Sequence, residues 1–309
     1  MYVGVDVGGT KCAVVLGDEN GNVMNKIKFK TTDVSSTLNN IFNSIERFKG
    51  FKSIGVSCGG PLDTRAGVIL SPPNLPGWDN IRIVDLLKNK YKVPVSLQND
   101  ANACALAEWR FGAGKGTKNM VFLTFGTGLG AGLILDGRLY SGTNGMAGEV
   151  GHIRLENYGP VGYGKAGSFE GFCSGNGIAQ IGKMIAMEHF QQGKTVSYCS
   201  SYDQLDEISA KLIADCADNG DEIAKEVYRI CAEKLGYGLA ILIDILNPEV
   251  IVMGSIFARS HNLLWDVTEK VIKREALSHS YNVCKVVPAA LGEQIGDYAA
   301  IAVAIDALR

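Results

Sequence analysis

Met1-Tyr2-Val3-Gly4-Val5-Asp6-Val7-Gly8-Gly9-Thr10-Lys11 opens this chain of 309 residues, and a weaker copy of it returns near the middle. Aligning Val3–Asp18 with Val121–Asp136 sets Gly8 against Gly126, Ala13 against Ala131 and Asp18 against Asp136. Each copy reads as strand, Gly/Thr-rich turn, strand. Such a turn exposes backbone N–H groups that no side chain blocks, which is what a phosphate needs. Two of them in one chain point to a nucleotide gripped from both sides by two similar half-structures.

Outward from the first turn, Tyr2–Val7, Cys12–Leu16 and Val23–Phe29 read as strands, with a hairpin turn at Asp18-Glu19-Asn20-Gly21. Asp33 or Ser35 caps a helix whose one face carries Leu38, Ile41, Phe42, Ile45 and Phe48. Ser53–Ser57 is a short strand ending at Cys58-Gly59-Gly60-Pro61. Ile83–Lys90 reads as helix, Val93–Leu97 as a strand delivering Gln98-Asn99-Asp100, and a helix follows to about Arg110. The pattern restarts with strands at Met120–Phe125 and Ala131–Leu135. Helices follow near 175–190, 205–217 and 221–246, then a buried strand Val250–Met253 ending in Gly254-Ser255. Leu263–Ala276 is helix, Cys284–Val287 strand, and Ile295–Leu308 a closing helix. Strands alternating with helices predict an α/β architecture with its site at strand ends. The restart predicts one domain over 1–115 and a larger one over 116–294, with helix 295–309 crossing back onto the first.

Apolar content of 46% with 20% charged residues is ordinary for a globular protein. A net charge of −2 gives no electrostatic case for nucleic-acid or membrane binding. Glycine, at 38 residues, exceeds its usual share of about 7% and clusters in turns, so it reads as ligand-loop chemistry. The eight cysteines form no C-x-C or C-x-x-C pair, which argues against a zinc ribbon or a disulfide framework and fits a reducing cytoplasm. The first strand begins at residue 2, leaving no room for a secretory leader. Asp244 interrupts the best apolar run, Leu239–Leu246, so no spanning helix is predicted. A soluble cytoplasmic protein is expected.

Asp100, at a strand's end and just before a helix, reads either as a helix N-cap or as a base accepting a hydroxyl proton during phosphoryl transfer. Asp6 is a carboxylate among Val3, Val5 and Val7. It is expensive there unless paired, by a magnesium ion held through waters or by Lys11 or another base. Gly8-Gly9-Thr10-Lys11 lacks Walker A spacing, and Gly126-Thr127-Gly128-Leu129-Gly130 leads into a strand rather than a helix, so a Rossmann reading fails. Duplication is what lifts the glycine signal, with Thr10 and Thr127 each supplying a hydroxyl. Glu149, His152 and Glu170 offer two carboxylates and an imidazole for a polyhydroxylated ligand. A lone histidine is also an ordinary structural residue. Asn74 and Asn99 add amide contacts, and Gly60 permits close backbone approach or makes an ordinary turn with Pro61.

With these residues in view the chain resembles the ROK family, the sugar kinases and sugar-responsive repressors of the actin-like ATPase superfamily, nearly end to end. Asp6–Lys11 is similar to the family's first phosphate motif, and Thr124–Gly130 to its second. Asn99-Asp100-Ala101-Asn102-Ala103 resembles the catalytic segment, making Asp100 the implied base. Gly148-Glu149-Val150-Gly151-His152 and Glu170, with Ser174-Gly175, resemble the sugar-binding signature. Val252-Met253-Gly254-Ser255 resembles the adenosine-side motif. The resemblance implies two actin-like (RNase H-like) α/β domains with an ATP/sugar cleft between them, ATP and Mg2+ as cofactors, and a homodimer. One departure is clear. Many family members carry a C-x-C-G-x-x-G-C-x-E zinc segment completed by the histidine of the G-H pair. Here Val161, Tyr163 and Ser168 occupy the three cysteine positions, so a tetrahedral set cannot form and zinc is not expected. Packing anchored by Tyr163 and Phe169 is expected to hold Glu170 and His152 instead.

The implied activity is ATP-dependent phosphorylation of a hexose hydroxyl, at O6 of glucose by default. N-acetylmannosamine, N-acetylglucosamine, fructose and allose are the alternatives within the family. A sugar-sensing repressor is the alternative of another class. Such relatives place a winged helix-turn-helix ahead of the first glycine motif, where this chain has one residue, and no basic patch follows a phosphate backbone. A catalytically weak sugar-binding protein is the third reading, disfavoured by Asp100, both glycine turns and Glu170. Sugar and ATP are the expected partners, with no nucleic acid and no membrane.

Overall fold

A computed structural model describes residues 1–309. It divides into two compact units, one of Met1–Phe122, Gly132–Ala147 and Ala290–Arg309, the other of Leu123–Ala131 and Gly148–Ala289. The elements of the N-terminal part are β1 (Tyr2–Val7), β2 (Lys11–Gly17), β3 (Val23–Lys30), α1 (Val34–Glu46), β4 (Ile54–Cys58), a small hairpin β5 (Leu62–Asp63) and β6 (Val68–Ile69), α2 (Ile83–Tyr91), β7 (Val95–Asn99) and α3 (Asp100–Phe111). They form a sheet of order β3-β2-β1-β4-β7, antiparallel across its first two pairs and parallel across β1-β4-β7.

Period-two alternation assigns the two faces of β1. Val3, Val5 and Val7 enter a core with Val14, Ile41, Ile45, Leu87 and Trp78. Tyr2, on the opposite face, packs with Val15, Ala300, Ile301 and Ala304 of the closing helix α11 (Ile295–Asp306). That helix lies on the sheet at backbone contact. A Cβ on Gly4 would stand 2.6 Å from the Ala300 Cβ, and one on Gly55 would stand 2.1 Å from the Ala304 nitrogen. Glycine is the only residue those two strand positions admit.

The second sheet contains β8 (Met120–Leu123), β9 (Ala131–Leu135), β10 (Arg138–Tyr140), β13 (Val250–Met253) and β14 (Lys285–Pro288), in the order β10-β9-β8-β13-β14. Both sheets therefore run third, second, first, fourth, fifth among their own strands, and the duplicated turn in the sequence has a duplicated topology around it. Between β10 and β13 come β11 (Val161–Gly162), β12 (Lys165–Ala166), α4 (Phe169–Phe172), α5 (Gly175–Gln191), α6 (Ala210–Asp218) and α7 (Glu222–Leu246). After β13 follow α8 (Ile256–Arg259), α9 (His261–Glu275) and α10 (Ser278–Tyr281). No helix is long and apolar enough to cross a membrane.

Two boundaries differ from the sequence reading for local reasons. The strand expected at 93–97 begins at Val95, because Pro94 has no N–H to give to a ladder and uses only its carbonyl, on the Ile54 N–H. The helix expected over 205–217 is a 3₁₀ turn, Tyr202–Glu207, followed by α6, whose start is fixed by the Ser209 hydroxyl accepting the Leu212 N–H. Between Asp33 and Ser35, the cap of α1 is Asp33, which accepts the Ser36 N–H.

Candidate active site

Register gathers the candidates of the first unit. Val7 pairs with Cys58 and Cys58 with Asn99, so three parallel strands end side by side. Gly8, Gly60 and Asp100 follow at one edge of the sheet, the place where open α/β sheets bind ligands. The Gly8 N–H donates to the Lys11 carbonyl at 3.2 Å, closing the turn. The Thr31 hydroxyl donates to the Gly8 carbonyl at 2.6 Å and pins it from the next hairpin. Thr10 and Lys11 stand exposed. A Cβ on Gly9 would come 2.3 Å from the Asn74 carbonyl oxygen, so the loop carrying Asn74 rests on the turn.

Asn99, not Asp100, caps α3. Its Oδ1 accepts the Asn102 N–H at 2.7 Å from an extended backbone. The capping alternative for Asp100 is thereby corrected, because Asp100 is the first helical residue. Its own Oδ1 accepts the Ala101 N–H at 2.9 Å. Asp100 is exposed as a residue, with protein packed around part of its carboxyl. That loss of solvation pushes its pKa up, against the helical N–H groups that draw it down.

Asp6 shares the face of β1 that α11 covers. A Cβ on Gly296, in the first turn of α11, would lie 3.3 Å from its Oδ2. Burial, then the negative charge of Asp297, raise the Asp6 pKa from 3.8 to about 6, while Lys26 and Lys11 pull it down. Lys11 makes no ion pair with Asp6; the pair that forms joins Lys26 to Asp297, both half-buried or deeper. Sequence reasoning missed those two residues. Their signals were faint: an aspartate in the apolar run of α11, and a lysine whose strand alternates Lys-Ile-Lys-Phe-Lys. Nowhere do three His, Cys, Asp or Glu side chains cluster as a metal cage. A desolvated carboxylate with a second beside it nonetheless fits magnesium, which keeps most of its waters and takes one or two protein carboxylates.

In the second unit the Thr124 hydroxyl accepts the Gly130 N–H at 3.0 Å and the Gly126 N–H donates to the Gly128 carbonyl at 3.1 Å, folding the second glycine turn. The Gly126 carbonyl accepts the first N–H of α5, that of Gly175, at 2.8 Å. Gly254 donates to the Leu123 carbonyl at 2.9 Å, and Ser255 follows with φ 49°, a strained value for a residue with a side chain. Gly126, Thr127, Asn176, Ser255 and Arg259 line a pocket of about 370 Å³. The second glycine turn and the Gly254-Ser255 motif, far apart in sequence, therefore share one concavity.

Glu170, at the start of α4, accepts the Leu129 N–H on Oε2 at 2.9 Å. His152 ends a 3₁₀ turn, Val150–His152, with its ring exposed, and Glu149 stands exposed just before it. Of the two expected anchors, Phe169 is buried against Gly238, whose Cβ would meet its ring at 2.2 Å. Tyr163 is corrected: it is 91% exposed, at φ 43° in the tip of the β11–β12 hairpin, with its ring edge-on to His152 at 6.5 Å. Ser168 caps α4 by accepting the Gly171 N–H at 3.1 Å.

Residues 2–307 match the ROK family, and the chain belongs to it. It is 33% identical to the glucokinase of Halalkalibacterium halodurans, over 96% of this chain and 92% of that protein. It is 30% identical to the xylose repressor of Caldicellulosiruptor bescii, over 91% of this chain and 72% of that one. A crystal structure of a ROK family glucokinase from Streptomyces griseus, in complex with glucose and AMPPNP, superposes with a TM-score of 0.75 at 29% identity, covering 99% of both chains.

Proposed function

We propose that this chain is an ATP-dependent hexose kinase whose general base is Asp100. The observation that carries the reading is the placement of Asp100. Asn99 performs the capping, so the Asp100 carboxyl is not needed to start the helix. It sits at the end of β7, level with the Gly8–Lys11 turn, with a raised pKa suited to receiving a proton.

An Asp100 oxygen takes the proton of the sugar hydroxyl, O6 in glucose, as that oxygen attacks the γ-phosphorus and ADP departs. Backbone N–H groups of Gly9 and Thr10, and of Thr127 and Gly128, stabilise charge on the phosphates, assisted by Lys11, while Gly8 and Gly126 use their own N–H groups to close the two turns. Gly254 and Ser255 border the adenosine. A magnesium ion held through waters at Asp6 would supply further neutralisation of the phosphates. Glu149, His152 and Glu170 bind sugar hydroxyls, joined by Asn74, by the side-chain NH2 of Asn99 and by backbone at Gly60. The protein acts in the cytoplasm as a homodimer, and its working parts are the two compact units, which divide at 122/123, 131/132, 147/148 and 289/290 rather than at 115/116 and 294/295.

Glucose is the first acceptor to test, on the strength of the glucokinase relative. N-acetylmannosamine, other amino sugars and fructose follow. ADP release, coupled to a spectrophotometric readout, is measured with ATP, magnesium and each sugar in turn. Sugar-dependent ADP release supports the reading, and its absence with every sugar sinks it. The similarity to a xylose repressor motivates one rival, a sugar-responsive regulator without kinase activity. Sugar binding without ADP release would favour that rival.

A further inference from the structure

The β11–β12 hairpin is too short to satisfy its own edge. One side chain does so instead. Gln180, in the second turn of α5, accepts the Val161 N–H on Oε1 at 2.9 Å and donates through Nε2 to the Val161 carbonyl at 2.9 Å. A primary amide carries a donor and an acceptor side by side. It therefore gives an edge residue what a neighbouring strand would give. The other strand is tied as well: Lys165 Nζ donates to the His152 carbonyl at 2.6 Å, and Arg154 Nη1 to the Ala166 carbonyl at 3.0 Å.

What the clasp holds lies next to it in the chain. A Cβ on Gly162 would stand 2.6 Å from the Gly171 nitrogen and 2.8 Å from the Glu170 Cβ. A Cβ on Gly151 would stand 3.2 Å from the same Glu170 atom and 2.2 Å from the Leu129 carbonyl oxygen. Glu170 thus occupies a slot between two side-chain-free backbones, and its carboxylate ends on the Leu129 N–H. If the hairpin drifted outward by an ångström, one wall of that slot would open.

We propose that Gln180 is a positioning residue for the acceptor site. It presses the hairpin 161–166 onto Glu170 and so fixes the carboxylate at the second glycine turn. The proposal rests on the kinase reading for what Glu170 binds, though not for the clasp itself. The two bonds lie at the surface, so their loss frees a local segment rather than the fold.

Gln180→Leu removes both bonds, while Gln180→Glu keeps the acceptor and loses the donor. With glucose as the probe, Gln180→Leu is expected to raise the glucose KM about tenfold, and Gln180→Glu by less. The kcat at saturating glucose and the KM for ATP should move by less than about twofold, the pattern of lost uniform binding. Without sugar, amide hydrogen exchange should quicken over 158–172 and at Leu129 in Gln180→Leu. Unchanged exchange in those segments overturns the clasp. Quickened exchange with an unmoved glucose KM overturns the positioning role, and loss of the folded state would make Gln180 merely structural. If the wild-type chain releases no ADP with any sugar, the kinase reading alone fails, and exchange at Leu129 still decides whether Gln180 sets Glu170.

Discussion

Glu170 and Leu129 are joined by a 2.9 Å hydrogen bond in which a side-chain carboxylate accepts a backbone N–H of the second glycine turn. The same oxygen lies 2.7 Å from where a Cβ on Gly128 would stand. One oxygen of Glu170 is therefore fixed on the second glycine turn, which leaves the other free of that bond for the sugar in the proposed function. The segment carrying Glu170 and the glycine turn are mechanically one piece within their unit.

Glu170→Gln keeps the shape and can keep an oxygen on Leu129, but it gives up the charge. A charge-assisted hydrogen bond is worth about 1.5–3 kcal/mol, so the sugar KM should rise by about 10- to 100-fold with the ATP KM unchanged. Gly128→Ala displaces the carboxylate sterically and should raise both KM values. Steady-state kinetics on the two variants checks this. A glucose KM within twofold of wild type in Glu170→Gln would remove Glu170 from the sugar site.

Asp100→Asn leaves the cap of α3 intact, because that cap is Asn99. Folding and binding of sugar and ATP should persist while kcat falls by about 10²- to 10⁴-fold, the usual worth of a positioned general base. In the wild type, activity should rise with pH through the Asp100 pKa, since only the ionised carboxylate accepts a proton. Burial raises that pKa, so the acid limb of kcat/KM should lie above the ordinary carboxylate range. Calorimetric binding beside a pH–rate profile makes the test, and near-normal kcat in Asp100→Asn would refute the role.

The residues that sequence could place are those whose local chemistry announces them. Strand alternation gave β1, the glycine pairs gave both turns, and the polar triplet Gln98-Asn99-Asp100 gave the end of β7. What stayed hidden depends on which residues a fold brings together. Nothing in Val23–Lys30 says that Lys26 meets Asp297 across 271 positions. Nothing in α5 says that Gln180 completes a hairpin edge. Tyr163 illustrates the opposite error: an aromatic residue in an expected packing role sits in a solvent-facing turn tip, where a left-handed φ and a following glycine decide its direction.

Asp6 supplies a stability test with a definite sign. Its folded pKa, about 6, lies above the ordinary 3.8, so the folded state binds more protons than the unfolded state between those values. Stability from this group is full below about pH 4 and is lost as pH rises through 6, by at most about 3 kcal/mol. Asp6→Asn removes the titration. In chelator-treated protein, the variant should therefore gain Tm relative to wild type on going from pH 5 to pH 8. Parallel Tm curves across that range would show that Asp6 is ionised in the fold at lower pH than its burial implies. Magnesium with ATP should raise the wild-type Tm at pH 8 and leave that of Asp6→Asn nearly unmoved.

The far end of α3 carries the last constraint on Asp100. Glu108 is fully buried, and its carboxylate accepts three backbone N–H groups: Ala113 at 2.8 Å, Leu291 at 2.9 Å and Ala290 at 3.2 Å. It fastens the C-terminal turn of α3 to the segment leading into α11, the same helix whose first turn faces Asp6. The helix that begins at Asp100 and the sheet-covering helix are thereby held in one frame, with Asn99 fixing the other end. Glu108→Leu fills the space but strands three donors, at a cost of about 3–5 kcal/mol, since each buried unpaired group costs about 1–3 and some regain water. Glu108→Gln preserves acceptor capacity on one side only and should lose about half as much. Urea unfolding of both variants gives the numbers. A loss under 1 kcal/mol in Glu108→Leu would mean that the 290–291 segment finds other partners and that α3 is not fastened there. With Asp100 as the proposed base, Glu108→Gln should also lower kcat more than it raises either KM, and the two measurements together separate a frame from a mere cap.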